Sequence, residues 1–313
     1  MTESVTESVT ESVTESVTES VTARATGGGA GRGAAIRLYH VSDLHFGRPA
    51  VPEQIDAIEE HIQRERYDIV AISGDVSQRA RAGEFQRASS FIRDARKVSK
   101  VICVPGNHDV AWWRSPLHLR GTATMYEPYR RYVDHELEPV LRTPGCTVVG
   151  LNTSQGVHAR TLTWNVRDIS IIGDLRRTQL AHARHEFEAS PAGDARVVVM
   201  HHNPVKGQLS QRHGLKHTRQ ILGAFASMDV DLVLCGHDHQ EAIHFVEHTR
   251  KGTVISTAGT VSNRSRGGRP SSVNVIAITP GEIRIVTHIW STADHNFVPG
   301  PGECFARSSH DSD

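Results

Sequence analysis

The alternation of apolar strand-like segments with amphipathic helical segments is the feature that most constrains the fold. Residues 36–41, 69–73 and 101–104 are short apolar runs typical of buried strands. Residues 52–66 and 83–98, which lie between them, carry apolar side chains at helical spacing. A strand–helix–strand–helix–strand order implies parallel strands joined by right-handed crossovers. The first half of the folded chain is therefore predicted to be α/β.

The second half of the chain is richer in strands. A helical pattern near residues 218–228 separates two of them, and from residue 242 onward short strands with turns predominate. A polar insertion that contains aromatic residues, helical in part, is expected at about 110–145. The pattern predicts two packed sheets flanked by helices. The additional strand patterns before residue 242 are residues 147–151, 169–172, 197–200 and 232–235.

The amino-terminal segment is a repeat. Residues 2–21 are five copies of Thr-Glu-Ser-Val, and a Gly-rich stretch follows at 27–33. A helix would place Glu over Glu at i,i+4 and would consist mostly of weak helix formers. We expect a disordered tail, with a partner-binding helix as the alternative, and a flexible linker. The expected organisation is therefore tail and linker at 1–34, one domain at 35–300 and a flexible carboxy-terminal tail at 301–313.

Charge and cysteine content narrow the class of protein. Lys plus Arg and Asp plus Glu are both 35, and the pI is about 7.4, so no strong nucleic-acid or anionic-membrane partner is indicated. No stretch approaches the ~20 apolar residues of a membrane span. The four scattered cysteines form no CxxC pair, which argues against a disulfide framework or a structural zinc site. We expect a soluble cytoplasmic protein.

Five of the predicted strands run directly into side chains that bind metal ions. Ligands of parallel sheets bind at the carboxyl ends of the strands, so five loops are expected to converge on one crevice. Each motif alone is weak, but their occurrence in this order at five strand ends is improbable by chance. In chain order, the five groups are Asp43 and His45; Asp75; Asn107, His108 and Asp109; His201 and His202; and His237 and His239.

The spacing of these residues is compatible with a metal site. In Asp43-x-His45 and His237-x-His239, residues two apart in an extended chain point the same way, so both can reach one cluster. Carboxylate, amide and imidazole donors suit Mn, Fe, Zn or Co rather than a thiolate-preferring metal. Glycines precede three of the groups, where the chain must turn sharply or approach a bound group closely. These glycines are Gly74, Gly106 and Gly236.

Together the motifs resemble the signature of calcineurin-like metallophosphoesterases, over about residues 36–290. The family fold is a four-layer α-β-β-α sandwich of two mixed sheets flanked by helices, which agrees with the strand and helix pattern. Within the family, residues 74–81 and 201–204 are similar to the bacterial cyclic-nucleotide phosphodiesterase branch. That branch also contains enzymes that act on other diesters and monoesters.

The resemblance implies two divalent or trivalent metal ions and a role for each motif residue. The two metals would orient a phosphate and lower the pKa of a bridging water, and the resulting hydroxide would attack phosphorus. His108 would stabilise the transition state or protonate the leaving group, with Asp109 orienting it, and Asn107 and His108 would also contact the substrate. One metal would be held by Asp43, His45, Asp75 and His239, and the second by Asp75, Asn107, His201 and His237. His201 is preferred to His202 because the family ligand usually occupies the first histidine of such a pair.

Several functions remain open at this point. The leading hypothesis is a phosphodiesterase acting on a small-molecule phosphate ester, with a cyclic nucleotide as a candidate. The nearest rival is a phosphomonoesterase acting on a protein, nucleotide or lipid-linked substrate. A nuclease is disfavoured by the neutral charge and the lack of a basic stripe. A non-catalytic binding scaffold of the same fold would be expected to have lost ligands, and here all are present.

Two weaker signals lie near the motifs. Trp112 and Trp113 follow the Gly-Asn-His-Asp loop and could stack on a nucleobase, although packing of the insertion is the simpler role. Arg264, Arg266 and Arg269 lie in a Gly-rich segment and could meet a substrate phosphate. A solvated hairpin loop is the simpler interpretation for these arginines.

Overall fold

A computed structural model describes residues 35–111, 114, 123–155, 172–205, 214–248, 252–265 and 267–307. The expected repeat tail and linker at 1–34 lie outside these residues. So do Trp112, Trp113, Arg266 and most of the strand expected at 169–172. The described chain from residue 35 forms two six-stranded sheets and five α-helices.

The first sheet combines parallel and antiparallel strands. Its strands are β1 (Ile36–Val41), β2 (Ile69–Ile72), β3 (Lys100–Cys103), β10 (Ser272–Ile278), β11 (Glu282–Ser291) and β12 (Asn296–Ala306). Their order is β12-β11-β10-β1-β2-β3. The strands β1, β2 and β3 are parallel, as the strand–helix alternation predicted, and β10 to β12 add an antiparallel meander beside β1.

The second sheet is also mixed. Its strands are β4 (Val140–Thr143), β5 (Cys146–Leu151), β6 (Ala195–Met200), β7 (Leu232–Cys235), β8 (Ala242–Val246) and β9 (Thr253–Thr257). Their order is β4-β5-β6-β7-β9-β8. The four central strands are parallel, and the edge strands β4 and β8 are antiparallel to their neighbours.

The helices cover the outer faces of the two sheets. They are α1 (Pro52–Glu65), α2 (Ala82–Ala95), α3 (Ala123–Tyr132), α4 (Arg177–Glu188) and α5 (Thr218–Ser227). Helix α1 shows why such segments are helical: proline occupies its first turn, where no intrahelical N–H bond is lost. Ile55, Ile58 and Ile62 form its single buried face.

Three apolar layers hold the four structural layers together. Between the sheets, Leu38 and Ile69 of the first pack with Val197 and Leu232 of the second. Phe85 and Phe91 belong to the core between the first sheet and its helices. Phe187 and Phe225 belong to the corresponding core on the second sheet. The α-β-β-α sandwich of two mixed sheets is therefore confirmed. None of the described helices is long and apolar enough to cross a membrane.

The structure adds a strand to the expected insertion and moves the end of the folded domain. The expected insertion at 110–145 contains β4, which pairs with β5 as an edge strand. The domain does not end at residue 300, because β12 continues to Ala306 and pairs with β11 as far as Glu282. The sequence Pro299-Gly-Pro-Gly302 is compatible with this strand, because β12 has a single neighbouring strand and prolines are tolerated on edge strands.

Arg307 anchors the end of β12 to the second sheet through an ion pair and a hydrogen bond. Its Nε lies 3.3 Å from Asp231 Oδ1, and both side chains are almost completely buried. Its Nη2 donates to the carbonyl oxygen of Gly193 at 2.8 Å. Residues 301–307 are thus part of the packed domain.

This anchoring predicts the effect of shortening the chain. Truncation after Gly300 should lower the free energy of unfolding by about 3 kcal/mol or more, because it removes half of β12 and one partner of a buried ion pair. Truncation after Arg307 is the matched control and should change it by less than about 0.5 kcal/mol. Urea unfolding of both proteins measures the difference. Equal stabilities would show that residues 301–307 are a dispensable tail.

Candidate metal centre

The loops after β1 and β7 bring three ligand atoms together, which we call the first ligand group: Asp43, His45 and His239. His239 Nε2 lies 3.2 Å from Asp43 Oδ1 and 3.2 Å from His45 Nε2. His45 Nε2 lies 3.6 Å from Asp43 Oδ1. With Asp75, these residues form a buried cluster whose ligand atoms all lie within 4.8 Å of one another.

A second ligand group lies beside the first and consists of Asn107, His201 and His237. Asn107 Oδ1 is 3.1 Å from His201 Nε2 and 3.1 Å from His237 Nδ1. The two imidazole nitrogens are 3.3 Å apart. His202, which the sequence analysis set aside, also brings a ring nitrogen within 4.8 Å of nitrogens of His201 and His237. The contact with Asn107 favours His201 as the ligand of this group.

Asp75 connects the two groups. Its Oδ2 lies 3.8 Å from His45 Nε2 and 3.4 Å from His201 Nε2. Its Oδ1 accepts a hydrogen bond from the backbone N–H of His108 at 2.8 Å. One oxygen is thus fixed by the protein and the other faces both groups, which is the placement expected of a bridging carboxylate.

Two buried carboxylate oxygens indicate whether the two ligand groups can accommodate cations. Asp43 Oδ1 and Asp75 Oδ2 are fully enclosed, and no described side chain or backbone group donates a hydrogen bond to them. A buried carboxylate oxygen without a donor is costly unless a cation or another group satisfies it. Both orphaned oxygens point into the ligand groups, so the residues present fit two metal ions.

Comparisons with known proteins agree with this geometry. The model of the family described as calcineurin-like phosphoesterase matches residues 36–241. The chain belongs to this family. Its buried residues form the two neighbouring clusters of potential metal ligands that the sequence motifs predicted. No curated protein sequence matches the chain.

Several solved structures share the fold of this calcineurin-like phosphoesterase. Purple acid phosphatase PPD1 from yellow lupin seeds superposes with a TM-score of 0.61 at 10% identity, over 88% of this chain and 54% of that one. The chain thus spans about half the length of the lupin protein. PhoD gives 0.59 at 12% identity, over 90% and 70% of the two chains. GAP50 of Plasmodium, described as the anchor in the inner membrane complex, superposes with a TM-score of 0.51 at 12% identity, over 88% of this chain and 89% of that one.

The electrostatics keep the carboxylates of this phosphoesterase ionised. Burial opposes ionisation of Asp43, but attraction to His239 holds its pKa well below the ordinary value. Burial also opposes ionisation of Asp75, yet His201 holds the pKa of Asp75 below its usual range. Burial disfavours a charged ring at His201, but the Asp75 carboxylate raises the pKa of His201 to about 9. A metal ion at this position would replace the proton, so metal binding should compete with protons.

Backbone carbonyls orient two of the ligand imidazoles. His201 Nδ1 donates to the carbonyl of Ser73 at 2.8 Å, and His239 Nδ1 donates to that of Arg264 at 3.0 Å. Because Nδ1 is committed to a carbonyl in both rings, Nε2 is the nitrogen of each ring that can bind a metal ion when it loses its proton.

The ligand residues have an unusual backbone. Ten described non-glycine residues have positive φ, and five of them are predicted metal ligands. Asp43, Asp75 and His237, for example, have φ of 54°, 52° and 71°. The alternation argument for Asp-x-His and His-x-His was therefore wrong in its mechanism, since these segments are left-handed rather than extended. Such conformations are costly for residues with a Cβ and concentrate at functional sites.

Two glycines are required by close packing at the centre. A Cβ built on Gly106 would lie 2.1 Å from Asp75 Oδ1. A Cβ built on Gly236 would lie 1.8 Å from Ser42 Oγ and 2.5 Å from Asp43 Oδ2. The expected close approach at these glycines is thus to the metal ligands themselves.

The structure assigns different positions to His108 and Asp109. The ring of His108 packs edge-on to His45 at 4.9 Å, and its Nδ1 donates to the carbonyl of Gln78 at 2.8 Å. The Asp109 carboxylate accepts bonds from the N–H groups of Gly106 and Ser77 and from the Ser77 hydroxyl instead. The expectation that Asp109 orients His108 was therefore wrong, because Gln78 does so. Asp109 instead links the loop that contains Ser77 to the loop that contains Gly106.

The packing at Gly236 yields a prediction about metal binding. Gly236→Ala should displace Asp43 and lower the content of bound metal severely, because the added methyl overlaps Ser42 and Asp43. Gly223→Ala is the matched control, since a Cβ there meets nothing within 4 Å and helix α5 favours alanine. Elemental analysis of the purified proteins measures the outcome. Full metal content in Gly236→Ala would contradict the packing described here.

Proposed function

We propose that this phosphoesterase hydrolyses phosphate diesters of small molecules, with 3′,5′-cyclic nucleotides as the leading candidates. The observation that carries the proposal is the pair of ligand groups joined by Asp75 Oδ2, with the His108 ring beside them. Support for a diester comes from the similarity of residues 74–81 and 201–204 to the cyclic-nucleotide phosphodiesterase branch.

The two ligand groups and Asp75 would bind two cations. The first ligand group and Asp75 would hold one cation, and Asp75 and the second ligand group would hold the other. When bound, two such cations orient a phosphate and lower the pKa of a water between them. Their oxygen and imidazole donors suit Mn, Fe, Zn or Co. The carboxylates, kept ionised by neighbouring histidines, supply the negative charge that holds the ions in place.

His108 is the residue proposed to act on the substrate. Its Nδ1 proton is committed to the Gln78 carbonyl, so Nε2, which lies 3.2 Å from Arg264 Nη1, is the ring atom that could act on the substrate. At Nε2 it would stabilise charge on the phosphate or transfer a proton to the leaving oxygen. Asn107, through its side-chain amide, would contact the phosphate as well as a cation.

A phosphomonoesterase is the second candidate. The name of the lupin neighbour, a purple acid phosphatase, favours it, although the likeness at 10% identity is one of fold. A non-catalytic binding scaffold is disfavoured because every expected metal ligand is present in the sequence. We also propose a cytoplasmic location. The four cysteines form no disulfide, and three of them are buried in strands, which is typical of proteins from a reducing compartment.

Hydrolysis of model substrates tests the proposal. Purified protein, with and without Mn, is assayed with bis(p-nitrophenyl) phosphate, cyclic AMP and p-nitrophenyl phosphate. We expect metal-stimulated turnover with a preference for the diesters. Preference for p-nitrophenyl phosphate would favour the monoesterase, and no metal-stimulated turnover of any ester would remove the proposed function.

Two substitutions separate metal binding from chemistry. Asp75→Ala should lose metal and activity together, because both cations depend on its Oδ2. His108→Ala should keep its metal, because no ligand atom is removed, while turnover falls roughly 100- to 10,000-fold with the loss of proton transfer or charge stabilisation.

Metal content and turnover are measured on the same preparations, with exposed His185→Ala on α4 as the control expected to change neither. Full activity and metal in Asp75→Ala would overturn the bridging role.

A further inference from the structure

Arg264 belongs to a segment that is bonded to the metal centre at several points. The backbone N–H of Val261 and the hydroxyl of Thr260 both donate to the carbonyl of Asp43, at 3.3 and 2.8 Å. The Arg264 carbonyl accepts from His239 Nδ1 at 3.0 Å. The interpretation of residue 264 as part of a solvated hairpin loop was therefore wrong, since its backbone touches a ligand of the first group.

The side chain of Arg264 reaches His108. Its Nη1 lies 3.2 Å from His108 Nε2 and donates to Gln78 Oε1 at 3.1 Å. Since the His108 ring packs against His45, the guanidinium is one ring away from the first ligand group. Its Nε and Nη2 donate to no acceptor in the described part of the chain. Arg264 is only half-buried, so the residue remains partly open to solvent beside the metal centre.

No carboxylate in the described part of the chain balances the charge of Arg264. In the described ranges, no Asp or Glu forms an ion pair with it, whereas Arg269 of the same segment pairs with Glu241 at 2.8 Å. Asp43 and Asp75 are the carboxylates of the ligand cluster, and two divalent cations would exceed their charge. A guanidinium close to such a centre is repelled unless an anion lies between them.

We propose that Arg264 binds a non-bridging oxygen of the substrate phosphate, on the His108 side of the metal centre. The contacts to Gln78 and His108 hold the guanidinium in position, and Nε and Nη2 present a planar pair of donors of the kind that binds phosphate oxygens. The inference rests on the proposed function. It concerns a residue beyond residue 241, where the family match ends.

Binding of inorganic phosphate to the Mn-loaded protein tests this role without turnover. Calorimetry compares the wild type with Arg264→Ala, Arg264→Lys and the matched control Arg269→Ala. Loss of a charged hydrogen bond should weaken phosphate binding roughly 10- to 100-fold in Arg264→Ala. The phosphate affinity of Arg264→Lys should lie between those of the wild type and Arg264→Ala, because the charge remains and the planar pair of donors is lost. Arg269→Ala should bind phosphate as the wild type does. Metal content should be the same in all four proteins.

Activity measurements complete the test. In Arg264→Ala, KM for bis(p-nitrophenyl) phosphate should rise with the phosphate dissociation constant. Wild-type phosphate affinity in Arg264→Ala would overturn the inference, as would loss of metal, which would assign the side chain a structural role. Wild-type protein that binds phosphate through Arg264 but hydrolyses no ester would refute the proposed function and leave this binding role supported.

Discussion

The shared carboxylate of Asp75 is the interaction on which the rest of the site depends. One oxygen is fixed by the backbone of His108, and the other faces both ligand groups. Burial of this charge would be strongly unfavourable if it had no counter-charge. Because the first ligand group and the second draw residues from both sheets, the same centre also joins the two halves of the sandwich at the carboxyl ends of their parallel strands.

Local strain and close packing make this convergence possible. Left-handed residues turn the chain abruptly at the strand ends, and glycines such as Gly106 and Gly236 let neighbouring loops approach to contact distance. Both features cost stability in isolation. The surrounding sheets, whose three apolar layers are almost fully buried, compensate for that cost, and the ligands lie in loops that begin at the ends of buried strands.

Much of the fold and of the candidate site could be predicted from the sequence, because the patterns that indicate them lie within short stretches of the chain. An apolar run that ends in Asp-x-His or Gly-Asn-His-Asp predicts both a strand and a candidate ligand, so the α/β order and the candidate metal ligands could be predicted from short stretches of sequence. What failed depends on contacts between distant residues. Arg264 and His108 are 156 positions apart, and no local pattern joins them. The partners of Asp109 and the pairing of β12 through its prolines and glycines likewise become visible only in three dimensions.

The most direct test of the central claim is anomalous diffraction from crystals of the full chain grown with Mn. The account predicts two peaks, one contacted by the first ligand group and the other by the second, with Asp75 Oδ2 in contact with both. A single peak, or two peaks of which only one touches Asp75, would contradict it.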